Sequence, residues 1–224
     1  MTLNAKILGA KVGAEFVGTT GLLIVVVGSG IMGENLSQGN TAIALLANSL
    51  ATGAGLYALI QSFHSISGSH FNPVVSLLEW LQGKLTLKEM SAYMGAQFLG
   101  AISGVLVTHA LFGQNLFQLS THERGDFRFV FSEIIATFGL LMVISLSGKR
   151  QAEVVPASVS LFITSAYWCT SSTSFANPAV TVARSLTNTF SGILWTGVPG
   201  FIAAQFIGAV LVYGLLRFVL VPNK

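Results

Sequence analysis

The chain is a succession of long apolar runs separated by short polar links. Six runs approach the ~20 residues that a helix needs to cross a bilayer. They cover 8–32, 41–62, 89–111, 127–147, 154–170 and 197–220. The links between them include Gly33 to Asn40, Gln114 to Asp126 and the short Gly148-Lys149-Arg150. Two further apolar pieces, 72–81 and 177–187, have about half the spanning length. The pattern predicts an all-α membrane protein with six transmembrane helices and two half-length ones.

Composition agrees with that reading. Of 224 residues, 52% are hydrophobic and 8% charged, with a mean hydropathy of +0.73. Soluble domains carry about 25% charged residues, so this chain lacks the polar surface to stay in water. The one cysteine, Cys169, excludes an internal disulfide framework and a cysteine-based metal cluster; an inert, buried thiol is expected there. A net charge of +3, scattered along the chain, is no footprint for nucleic acid. Lys11 and Glu15 interrupt the start, and the run from Phe16 is long enough to span. The N-terminal segment therefore reads as a spanning helix and not as a cleaved leader.

Charge distribution predicts orientation. One side collects Lys6, Lys11, Lys84, Lys88, Lys149, Arg150, Arg217 and Lys224, and the other has Arg124 and Arg128. Basic residues concentrate on the cytoplasmic side, so both termini are expected there.

The chain also repeats itself. "EFVGTTGLLIVV" from Glu15 matches "EIIATFGLLMVI" from Glu133, "FNPVV" at Phe71 matches "ANPAV" at Ala176, and "AQFLGA" at Ala96 matches "AQFIGA" at Ala204. The order is kept, at separations of 118, 105 and 108 residues. Each half holds three spanning helices, an odd number, so the second half enters the membrane from the opposite side. A single unit over 1–224 is expected, with inverted repeats near 1–112 and 127–224 joined by an outer loop, 113–126. Such repeats place a functional site at the midplane where they meet.

The repeated Asn-Pro pairs explain the half-length pieces. Asn is a strong N-cap, and Pro suits the first helical position because its missing N–H would be unpaired there anyway. Asn72-Pro73 and Asn177-Pro178 each open a short helix, after "SISGSHF" and "TSSTSFA", which read as non-helical. Non-helical backbone at bilayer depth survives only when buried in protein or lining a watery cavity. Two re-entrant loops then meet at the centre, and the arrangement is a pore. Backbone carbonyls before each Asn form a ladder of acceptors, the two Asn amides supply donors, and two helix N-termini disfavour cations.

The paired motifs Asn72-Pro73-Val74 and Asn177-Pro178-Ala179, the "SGSHFNP" loop, the matched Glu15 and Glu133 and the six-helix inverted repeat together resemble the aquaporin and glycerol-facilitator family of major intrinsic proteins. The resemblance covers essentially the whole chain. It implies a homotetramer with one pore per subunit and passive flow of water or small neutral solutes, without a cofactor or bound metal. It assigns Asn72 and Asn177 to the pore centre and Gly68, Ser69 and His70 to the pore lining. Glu15 and Glu133 would support the loops, with Gln97 and Gln205 in related structural work. Val74 is bulkier than the usual alanine, and a packing change between the half-helices is expected. His64 and His109 are read as helix-end or packing residues. The family's usual mercury-reactive position is Ser174 here.

The second motif departs from the family pattern. Typical water channels carry an arginine directly after Asn-Pro-Ala; here that residue is Val180, and Arg184 follows one helical turn later. The other constriction positions by family register are Thr52, Ser165 and Ser174. A ring of Thr52, Ser165, Ser174 and Val180 is wide and uncharged unless Tyr167, Trp168 or Phe175 refills it. The arginine-lacking members that this chain resembles include bacterial channels associated with metalloid, particularly arsenical, handling. The expected function is a passive channel with a wide, arginine-free filter for water together with polyol or metalloid species, in a bacterial inner membrane. A water-selective channel with a rebuilt filter and an ion-coupled secondary transporter are the rivals. No nucleophile–base pair and no HExxH spacing supports an enzyme.

Overall fold

The computed structural model describes residues 3–220; Lys224, counted above among the basic residues, lies outside them. Eight α-helices follow one another: α1 (Leu3–Leu36), α2 (Thr41–Ser67), α3 (Pro73–Leu81), α4 (Leu87–Leu111), α5 (Phe127–Arg150), α6 (Val155–Cys169), α7 (Pro178–Arg184) and α8 (Val198–Leu215). Their starts follow local chemistry. The Asn40 side chain accepts from the N–H groups of Ala42 and Ile43. Thr86 and Glu89 form a reciprocal capping box at α4, and Asp126 caps α5. Helix α2 runs past the expected 62 to Ser67, where Gly68 takes a left-handed φ of 86° and stops it.

Five helices are long and apolar enough to cross a membrane: α1, α2, α4, α5 and α8 with its preceding turn. The sixth expected span, α6, has only 15 residues, about 22 Å at 1.5 Å per residue. A 3₁₀ turn at Ala152–Val154 precedes it and extends its reach. Helix α1 extends further toward the N-terminus than its apolar run, because its charges find partners. Lys11 pairs with Glu89 at 3.3 Å, and Glu15 is fully buried in a hydrogen-bonded pocket.

Helix α1 packs on α2 and α4, α5 packs on α6 and α8, and α2 meets α6 between the halves. Small residues set the closest approaches. A Cβ on Gly100 would sit 2.5 Å from the Phe16 carbonyl oxygen, and one on Gly208, its counterpart in the repeat, 2.9 Å from that of Ile134. Neither position has room for a side chain, as expected where small residues let helix backbones touch. The short α3 and α7 are buried inside this frame. Val74 packs with Leu78, Leu141, Ala209 and Val212, on the α5 and α8 side of α3. Cys169, expected to be buried, is exposed at the end of α6.

Candidate functional site

The loops before α3 and α7 adopt the same backbone. Gly68, Ser69 and Phe71 have positive φ (86°, 53° and 49°), as do Thr173, Ser174 and Ala176 (62°, 51° and 47°). These lie four, three and one residues before Asn72 and Asn177. Left-handed conformations at non-glycine residues cost roughly 1–3 kcal/mol each, so something must hold them.

Two carboxylates do so. Glu15 accepts from Ser67 Oγ (2.6 Å), His70 N (2.9 Å), Phe71 N (2.6 Å) and Gln97 Nε2 (2.8 Å). Glu133 accepts from Ser172 Oγ (2.6 Å), Phe175 N (2.9 Å), Ala176 N (2.8 Å) and Gln205 Nε2 (2.7 Å). A carboxylate is an acceptor-only group with room for four donors, and each site supplies four. The glutamines are held in turn by Ser76 (3.0 Å) and Thr181 (2.9 Å). With the loop N–H groups turned to the carboxylates, the carbonyls of Gly68, Ser69 and His70 and of Thr173, Ser174 and Phe175 accept no bond from any described residue.

The two loops interlock through the asparagines. Each Oδ1 caps its own short helix, Asn72 accepting from Val74 N and Asn177 from Ala179 N, both at 3.0 Å. Each Nδ2 crosses over: Asn72 donates to the Ala176 carbonyl (2.7 Å), and Asn177 donates to that of Phe71 (2.8 Å). Pro73 and Pro178 occupy the first helical positions. His70 and Phe175 are also counterparts. His70 bonds Ser76 Oγ at 3.0 Å and lies edge-on to Tyr93, while Phe175 lies edge-on to Phe201.

One cavity of about 490 Å³ passes this junction. One mouth is bordered by His64, Glu79, Lys84 and Lys149. The middle is lined by Leu56, Ile60, Val75 and Val159 and by the loop residues Gly68 to Asn72. Beyond Asn177 the walls are Thr52, Tyr167, Ser174, Phe175, Val180 and Arg184. The lining is largely apolar, with a file of free carbonyls, two amides and a few hydroxyls. A neutral hydrogen-bonding molecule can exchange partners along that file, and the oily wall holds it nowhere else.

The expected constriction is altered at one corner and supplemented at another. Thr52, Ser174 and Val180 line the cavity, and the Ser174 hydroxyl is buried without a partner among the described residues. Ser165 does not line it: that side chain is exposed, and its hydroxyl bonds the Phe162 carbonyl within its own helix. Helix α6 instead turns Val155, Val159, Ile163 and Tyr167 inward. This is an i, i+4 stripe, and Ser165 falls two residues off it, about 200° around the helix. Tyr167 reaches across to donate to Thr52 Oγ1 at 3.2 Å. Trp168 turns away and bonds Ser49. Arg184, one turn past Val180, is 2% exposed and borders the same cavity. His64, read as a helix-end residue, lies at the opposite mouth. An i, i+4 stripe on α2 (Thr52, Leu56, Ile60, His64) was the signal for it.

Comparison with known proteins points the same way. Residues 3–174 match the family described as Major intrinsic protein. The chain is 46% identical over 211 residues to Aquaglyceroporin AqpS of Rhizobium meliloti (strain 1021), across 94% of this chain and 90% of that protein. It is 29% identical over 163 residues to Aquaporin Z of Rhodopseudomonas palustris, across 66% of this chain and 67% of that protein. Its fold superimposes on the X-ray structure of the aquaglyceroporin from Plasmodium falciparum with a TM-score of 0.74 at 22% identity, covering 96% of this chain and 98% of that one. A cavity built from two interlocked re-entrant loops, matched by a family description over most of the chain and by a relative along nearly all of it, places this chain in the major intrinsic protein family.

Proposed function

We propose that the protein is a passive channel for small neutral solutes, passing water and glycerol and, through a constriction with no arginine at the Val180 position, metalloid acids and their methylated arsenical forms. The observation that carries this reading is the continuity of the cavity past the Asn72–Asn177 junction and on between Thr52, Ser174 and Val180. The groups at the centre are two amides and backbone carbonyls. They neither titrate nor attack, which favours passive flow over catalysis or ion coupling.

The same reading gives one channel unit, with repeats near 1–112 and 127–224 and the linking loop 113–126. A homotetramer in a bacterial inner membrane, with both termini cytoplasmic, accompanies it. Lys84 and Lys149 at one mouth support that orientation. Exposed Leu99, Leu161 and Val210 supply apolar surface for lipid or a neighbouring subunit.

A second reading, a water-selective pore with a rebuilt filter, is favoured by the Tyr167–Thr52 bond and by Arg184 in the wall. Stopped-flow light scattering on proteoliposomes separates the two. After an outward osmotic shock with glycerol, protein-dependent re-swelling is expected. Fast shrinkage with no protein-dependent re-swelling would leave the water-selective pore.

A further inference from the structure

We propose that Arg184 is the charge filter of this pore, excluding cations from a position one helical turn beyond Val180, so that solute size and solute charge are selected at two separate levels. The proposal rests on the channel reading above. Helix α7 runs outward from the central junction, so its last residue stands about 6 Å further along than Val180. The Arg184 side chain is buried and folds over the Phe175 ring, with the guanidinium carbon 3.4 Å from the ring centroid. Its Nε donates to the Ser191 carbonyl. The stack and this bond fix the plane of the group, because a guanidinium holds its donors in a rigid fork.

What remains is unspent. The two terminal nitrogens donate to no described residue, and no described carboxylate lies within ion-pair distance of them. Arg124, on the same ring at 5.4 Å, is different: it donates to the Gly192 and Ser172 carbonyls and does not border the cavity. A buried cation with free donors beside the lumen repels other cations far more strongly than it would in water. The same donors serve a neutral solute's oxygen at no electrostatic penalty. The Thr52–Val180 level can therefore open to larger molecules without admitting ions.

The test is cation flux in proteoliposomes beside glycerol re-swelling on the same preparations. Wild type is expected to pass glycerol while sodium entry stays at the protein-free rate. Arg184→Gln, whose amide can still donate to a solute oxygen, is expected to raise sodium entry relative to glycerol flux on the order of tenfold or more. Arg184→Lys covers the case in which the neutral variant does not reconstitute. It should exclude sodium at pH 5 and leak near pH 11, because burial lowers a lysine from its ordinary pKa of about 10.4 and the loss of its proton falls between those two values. The groups facing it are Tyr167, Arg124 and Glu133; all three are present in both proteins, so wild type at the same pH is the control.

A glycerol-conducting Arg184→Gln channel that stays tight to sodium would overturn the proposal, as would a lysine variant equally leaky at both pH values. Wild type that passes no glycerol, with Arg184→Gln still leaking sodium, would sink the solute reading and leave the charge filter standing.

Discussion

Asn72 and Asn177 are each bonded to the other's loop. The amide of Asn72 donates to the carbonyl of Ala176 at 2.7 Å and that of Asn177 to the carbonyl of Phe71 at 2.8 Å. Both acceptors are residues held at positive φ immediately before the opposite asparagine. Each half of the duplication therefore fixes the strained backbone of the other, and the centre of the cavity is a reciprocal clasp.

Breaking the clasp on one side should destabilise both loops. Asn177→Ala removes an N-cap, about 1 kcal/mol, and the crossing bond, about 1 kcal/mol more. A fall of roughly 5 °C in the unfolding midpoint of detergent-solubilised protein is expected. Asn177→Asp retains the cap oxygen but sets its other oxygen against the Phe71 carbonyl, two acceptors with no proton between them. It should lose more than the alanine variant. An aspartate variant as stable as wild type would show that the crossing bond carries no stability.

The loop carboxylates should behave as a matched pair. Glu133→Gln turns one of two acceptor oxygens into a donor that faces the N–H groups of the loop or Gln205. Leaving a buried donor without its partner costs about 1–3 kcal/mol. Glu15→Gln should lose a similar amount, since its four donors are the same in kind. Thermal melts of the two variants check this, and a silent substitution at either site would refute the supporting role.

Filling the Val180 position should separate water from larger solutes. Val180 is 5% exposed and borders the cavity together with Thr52 and Ser174. With Val180→Arg, glycerol re-swelling is expected to fall on the order of tenfold while osmotic water flux stays within about threefold. Unchanged glycerol flux would mean that this level does not limit passage.

Mercurial sensitivity should be absent and then engineerable. Cys169 is exposed at the end of α6 and does not line the cavity, so mercuric ion bound there leaves the path clear. Ser174 is buried against the lumen with its hydroxyl unpartnered. Ser174→Cys is expected to make water flux sensitive to mercuric chloride, with recovery on adding a thiol. Inhibition of wild type would place Cys169 on the path after all.

The helices and re-entrant loops were legible because local signals carry them. Apolar runs of spanning length, Asn-Pro helix starts and a duplicated motif order need no knowledge of packing. The matched glutamates stood out for a related reason: an ionisable group in an apolar run is costly unless it is bonded. Helix rotation was not legible in the same way. Ser165 was expected at the constriction by register from Asn177, but α6 presents the Ile163–Tyr167 stripe. Two residues of offset on a helix move a side chain to the opposite face, and counting across a loop carries that much error.

The set of elements, their duplication and the two polar motifs at their centre are written along the chain. These follow from nearest-neighbour chemistry, namely caps, breakers and the length of apolar runs. Which side chains meet in the lumen is set by packing between the halves. Tyr167 bridges to Thr52, 115 residues away, Arg184 lies flat on Phe175, and Arg124 stays behind that ring. Those relations depend on how helices from the two halves rotate against one another, and no single segment contains that information.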